Sequence, residues 1–180
     1  MIPVLVFYMV ASGSAAAQSK VDDVEAHNDR GVGLYKKGEM DGAIAEFRQA
    51  LRLNPDHPEA HNNLGGALMF KGDLDGAIAE FRQALRLKPD YPGAHNNLGG
   101  ALQRKGDSDG AIAEYRQAFR LNPNYPDPHY NLGSALSDKD DLDGAIAEYR
   151  EALRLKPDYP KAQSSLTKLL AKKATRESKH

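Results

Sequence analysis

The chain of 180 residues carries 24 Lys and Arg against 25 Asp and Glu, a formal net charge of −1, with 41% hydrophobic residues and neither Cys nor Trp. That balance excludes the cationic excess that nucleic-acid binding by charge requires, and the lack of cysteine excludes disulfides, thiolate catalysis and cysteine-ligated zinc or iron–sulfur centres. No apolar run reaches the roughly 18–20 residues of a membrane-spanning helix.

Residues 2–10 form an apolar run, Ile-Pro-Val-Leu-Val-Phe-Tyr-Met-Val, followed by small residues ending Ala15-Ala16-Ala17. An apolar stretch before an Ala-x-Ala site reads as a secretory signal peptide, residues 1–17, cleaved after Ala17. Such a chain is exported, to the periplasm or beyond; without a signal it stays cytoplasmic. No Lys or Arg precedes Lys20, so the basic start of a signal is missing and a retained anchor or a plain leader stays open. Residues 18–23 complete the leader.

From residue 24 a period of 34 organises the sequence. Residues 58–91 and 92–125 agree at 26 of 34 positions, which is duplication. The same frame extends back over residues 24–57 and forward over 126–159, and a partial unit opens at Pro160. Within each unit two amphipathic segments are separated by Gly38, Gly72 or Gly106, suited to a left-handed helix end, and Pro58, Pro92 and Pro126 open units where a missing N–H is harmless. Each unit is therefore expected to be helix, short turn, helix. The fourth turn has Asp140 in the glycine's place. In a left-handed conformation its Cβ costs about 1 kcal/mol, so Asp140→Gly is expected to raise the melting temperature.

Numbered internally from 1 to 34, the second unit has Leu64, Gly65, Ala77, Phe81, Ala84 and Pro89 at positions 7, 8, 20, 24, 27 and 32. The third has Leu98, Gly99, Ala111, Tyr115, Ala118 and Pro123, and the fourth Leu132, Gly133, Ala145, Tyr149, Ala152 and Pro157. This pattern resembles the tetratricopeptide repeat family over about residues 24–175. The resemblance implies an all-α, right-handed α-solenoid of four repeats with a concave face, closed by a C-terminal capping helix over residues 160–175 and a disordered basic tail over 176–180. In that helix Leu166 and Leu170 are expected to cover the last repeat, and the six basic side chains of residues 161–180, against one acid, to solubilise the end. The first unit has Arg30 in place of Leu and Asp29 in place of Asn, which suits the opposite cap.

The sequence carries few patterns that point to chemistry. His27, His61, His95 and His129 recur at position 4, where the family carries a large aromatic. Histidines one repeat apart are poorly placed to converge on one ion, so they are expected to fill the aromatic's slot. Asp73-Leu74-Asp75-Gly76 and its copies lack the terminal carboxylates of a calcium loop and are expected to cap the second helices. No P-loop, dinucleotide fingerprint, His-Glu-x-x-His or Gly-x-Ser-x-Gly is present. Neither cofactor, metal nor catalytic constellation is expected, and the chain reads as non-enzymatic.

What remains is a surface. At about 100° per residue, positions 4, 7, 8 and 11 of the first helix share the packed sector, and positions 2, 5, 6, 9, 12 and 13 the opposite one. The expected groove is thus lined by Asn62, Asn96 and Tyr130 at position 5, Asn63, Asn97 and Asn131 at position 6, Met69 and Phe70 as apolar anchors, and Arg104. The asparagine row is similar to the ladder of O-linked N-acetylglucosamine transferases, which implies amides gripping the backbone of an extended peptide. The family's clamp for acidic chaperone tails is not matched, since its basic positions hold Asn28, Gly93 and Asn97. Paired arginines on each second helix, Arg48 and Arg52 onward, read as a solvated convex face offset by Glu46, Glu80, Glu114 and Glu148. The expected function is a monomeric interaction scaffold for a protein or peptide, with no nucleic-acid partner and weak self-association at most. A structural module of an envelope or secretion complex, or a glycosyltransferase-related repeat region without its catalytic part, is the alternative.

Overall fold

The structure, a computed structural model, describes residues 4–178, with side chains from Lys20 onward. The cleavage expected after Ala17 falls outside the described side chains. The described residues form nine α-helices: α1 (Val4–Lys37), α2 (Met40–Leu53), α3 (Pro58–Lys71), α4 (Leu74–Leu87), α5 (Pro92–Arg104), α6 (Ser108–Leu121), α7 (Pro126–Asp138), α8 (Leu142–Leu155) and α9 (Pro160–Glu177). They pack as the pairs α1/α2, α3/α4, α5/α6 and α7/α8, each pair on the next, and α9 closes the stack. The first helices of successive repeats lie side by side along one face.

Local chemistry sets each hairpin. Gly72 ends α3 at φ +88° and returns its N–H to Met69 O at 3.2 Å, while the Asp73 N–H reaches Leu68 O at 3.0 Å. Asp73 then caps α4 by accepting from the Gly76 N–H at 2.9 Å, and Asp107 and Asp141 do the same for α6 and α8. The capping role read from the Asp-x-Asp-Gly segments is what these residues perform. Packing then follows from small residues. A Cβ on Gly65 would lie 2.7 Å from Phe81 Cε1, so the ring of α4 rests on bare backbone of α3, and Ala77 and Ala84 are fully buried on either side.

Asp140 adopts φ +66°, as its place in the turn predicts. Its carboxylate, however, binds Arg176 Nη1 and Nη2 at 2.7 and 2.9 Å and Lys172 Nζ at 3.0 Å, ties the sequence did not reveal. Arg176 and then Lys172 hold the Asp140 carboxyl down to about 2. A depressed acid stabilises the fold above the ordinary carboxylate range, and the contribution is lost as pH falls toward that value. Asp140→Gly therefore relieves the backbone but unties α9, and a higher melting temperature no longer follows in the wild-type background. It is expected in Lys172→Ala/Arg176→Ala, where the ties are already gone. Equal shifts in the two backgrounds would show that the ion pairs contribute nothing.

The closing helix also differs from expectation. It runs through Glu177, and Arg176 is one of its tethering residues rather than part of a free tail. Leu169 is the buried leucine, at 5% exposure beside half-buried Leu166, while Leu170 is 40% exposed. Leu68 and Leu102 at the same position as Leu170 are buried, each in a repeat with both helices. Among the described residues no second helix packs over Leu170.

Candidate binding groove

Two side-chain ladders join successive repeats. Asn63 Nδ2 donates to Asn28 Oδ1 at 3.0 Å, Asn97 to Asn62 at 3.0 Å and Asn131 to Asn96 at 2.9 Å. On the turn side, Lys71 pairs with Asp41 at 2.9 Å, and Lys105, Lys139 and Lys173 pair with Asp75, Asp109 and Asp143. The position-5 amides expected to face the groove are mostly enclosed: Asn62 and Asn96 are each 9% exposed and serve as acceptors. The position-6 amides are half-buried, and each donates one N–H to the ladder. An amide has two N–H groups and an acceptor oxygen, so Asn63, Asn97 and Asn131 each keep one donor and the Oδ1 for a ligand, fixed in orientation.

Beside this ladder lies a depression of about 290 Å³ whose apolar part is Val32, Tyr35, Phe47 and Gly66, lined as well by Asn62, Asn63, Asn97 and Lys36. It lies just below the usual range of ligand-pocket sizes, about 300–1,000 Å³. The anchors expected from sequence are placed differently. Met69 packs partly against the core, and its carbonyl accepts from Arg104 Nη1 at 2.7 Å. Phe70 is 65% exposed. Gln103 is also engaged, donating to Asp138 Oδ2 at 2.8 Å and accepting from the Tyr115 hydroxyl at 2.9 Å. Tyr130 breaks the amide pattern at position 5 and packs near Tyr159, ring centroids 5.2 Å apart, in a second recess shared with Asn96 and Asn131.

Gly66 and Gly100 stand at position 9, inside α3 and α5, and a Cβ on either would meet nothing closer than 3.8 Å. No packing contact requires glycine there, and an interior helical glycine costs about 1 kcal/mol against alanine.

The histidines pack as expected and also make a bond that the sequence did not suggest. The Nδ1 atoms of His27, His61, His95 and His129 lie 2.6–2.7 Å from Glu46, Glu80, Glu114 and Glu148 of the paired second helix. These carboxylates, expected to offset the convex arginines, face the histidines instead; Glu46 also accepts from Arg30 Nε at 3.1 Å. In the two middle repeats Nε2 lies against a loop carbonyl as well, His61 against Pro55 at 2.9 Å and His95 against Pro89 at 2.8 Å. A ring between two acceptors is best satisfied as imidazolium. Burial opposes the charge, but the carboxylate and carbonyl outweigh it and raise both imidazoles above their usual range. A raised folded value gives stability that is complete below the unfolded value and lost as pH rises through the folded one. The melting temperature is expected to fall as pH rises above the ordinary histidine range, and to fall less in His61→Gln/His95→Gln. Gln163 already makes the same loop bond, to Pro157 O at 2.9 Å. An identical pH dependence in that variant would refute the assignment.

Among the described residues no three His, Cys, Asp or Glu side chains form a metal site, and no helix is long and apolar enough to cross a membrane. Family models described as tetratricopeptide repeat match residues 28–92 and 71–114, and one described as TPR repeat matches 101–140 and 134–173. The chain is a tetratricopeptide repeat protein. Its fold is that of a solved MamA protein, at TM-score 0.74 and 27% identity, covering 87% of this chain and 86% of that one. A thermophilic TPR protein of Thermus thermophilus, TTC0263, aligns at TM-score 0.73 and 28% identity over 83% and 82% of the two chains. YrrB, described as a TPR protein with an unusual peptide-binding site, shares the fold at TM-score 0.70 and 22% identity over 91% and 84%. No curated protein matches this repeat protein by sequence.

Proposed function

We propose that this repeat protein is a non-enzymatic scaffold that binds an extended segment of a partner protein along the face formed by its first helices. The observation that carries the reading is the pair Gly66 and Gly100: two helix-interior glycines with open space above them, beside a row of fixed amides. A residue that lowers helix stability without serving the packing is the mark of a surface kept bare for close approach. Asn63, Asn97 and Asn131 each present a donor and an acceptor, the complement of a peptide unit, and the depression at Val32, Tyr35 and Phe47 takes one apolar side chain. The peptide-binding site named for YrrB belongs to a chain of the same fold.

The test fills the groove without touching the ladder. In Gly66→Leu/Gly100→Leu, the added Cβ atoms meet nothing closer than 3.8 Å, helix propensity rises, and the rest of each side chain occupies the groove. Random 16-residue peptides captured by the wild-type protein are expected to be lost on this variant, which melts no lower than wild type. Equal capture by a folded variant would refute groove binding.

A further inference from the structure

The two ends of the groove differ in chemistry. Toward the first repeats the depression is mainly apolar, lined by Val32, Tyr35, Phe47 and Gly66 with Lys36 beside them. Toward α9 the recess is cationic and aromatic: Tyr130 and Tyr159 wall it, and Lys156 and Lys161 line it. Lys156 owes its availability to an exchange between repeats. In the second repeat, Lys88 at the same position is held by Glu59 at 2.9 Å. In the fourth, the corresponding acid Asp127 accepts instead from the Tyr159 hydroxyl at 2.9 Å, and Lys156 Nζ rests 4.9 Å above the Tyr159 ring. Among the described residues neither Lys156 nor Lys161 pairs with a carboxylate, so two cations face the recess against one acid already hydrogen-bonded. Asn96 and Asn131 belong to both the recess and the ladder, so a chain lying on the amides reaches it.

We propose, resting on the groove reading, that the ligand is an extended segment with an apolar side chain in the Val32–Phe47 depression and a carboxylate between Lys156 and Lys161. The depression spans the first two repeats and the recess the fourth repeat and α9, roughly two and a half repeats apart. At about 10 Å per repeat and about 3.3 Å per extended residue, the two groups are about eight residues apart. The carboxylate is an Asp or Glu side chain or a chain terminus; both present the same anion.

The experiment uses a pool of random synthetic 16-residue peptides with free C-termini, captured on the immobilised full chain and identified by mass spectrometry. Captured peptides are expected to share an apolar residue and a carboxylate seven to nine residues apart. Lys156→Gln/Lys161→Gln should weaken them about tenfold, the combined effect of two exposed ion pairs. The same loss is expected in wild type when the peptide acid becomes an amide: loss on Asp→Asn or Glu→Gln assigns a side chain, loss on C-terminal amidation a terminus. Captured peptides without that spacing, or with affinity unchanged by the lysine substitutions, overturn this proposal alone, provided Gly66→Leu/Gly100→Leu abolishes capture. Capture that persists in the glycine variant, or no capture at all, overturns the groove reading with it.

Discussion

Gly65→Ala should lower the melting temperature, whereas the same change one residue later, Gly66→Ala, should raise it. At Gly65 the new Cβ would sit 2.7 Å from Phe81 Cε1 and 2.8 Å from Cδ1, and Phe81 is fully buried with Ala77 and Ala84 fully buried beside it. The ring has no free volume to retreat into, and overpacking of this kind costs about 1–3 kcal/mol, against which helix propensity returns about 1 kcal/mol. At Gly66 only the propensity gain applies, since nothing lies within 4 Å of the new atom. For a chain of this length a gain of that size corresponds to a rise of about 2–4 °C. If Gly65→Ala raises the melting temperature as Gly66→Ala does, the close approach of α3 and α4 does not restrict the sequence, and the packing account given for this pair fails.

Asn97→Ala is the second large effect, expected to destabilise by about 1–3 kcal/mol although Asn97 sits on the groove face. The cost arises at its partner: Asn62 Oδ1 stays enclosed and loses its donor. Removing the acceptor too, in Asn62→Ala/Asn97→Ala, should destabilise by less than the sum of the single changes. Strict additivity would mean that the ladder contributes no coupling. Because a repeat array is held together by nearest neighbours, amide exchange should quicken first at the α3/α5 junction. A triple Asn63/Asn97/Asn131→Ala variant would therefore lose stability at three junctions at once, so its loss of binding would say nothing about ligand contacts.

The architecture was legible because its determinants repeat in register. The glycine, alanine and aromatic of each unit fall at fixed positions, the capping aspartates precede each second helix, and even the left-handed Asp140 could be located. The ladders were also written in the sequence, as spacings of 35 between asparagines and 30 between Lys and Asp, but a helical wheel cannot read them. It gives angles about one axis, and the placing of position 6 over position 5 of the preceding repeat depends on how two helices cross. For the same reason a wheel puts Asn62 and Asn96 on the groove surface although neighbouring helices enclose them. The wheel puts Leu170 in the interior because it assumes a partner helix on that side. The freed Lys156 was invisible for a different reason: it depends on a hydroxyl, that of Tyr159, taking the acid that its counterpart Lys88 holds.

The Lys–Asp ladder has an evolutionary consequence. Every junction, including that between the last repeat and α9, is closed by the same ion pair in the same register. Excising residues 92–125 would bring Lys139 against Asp75 and Asn131 against Asn62, restoring both linkages without a compensating substitution. Copying the same unit would be equally neutral at its seams. Recombination between these near-identical units can thus lengthen or shorten the array at a stroke, so the span of the groove is a heritable trait that can change without passing through an unstable ancestor.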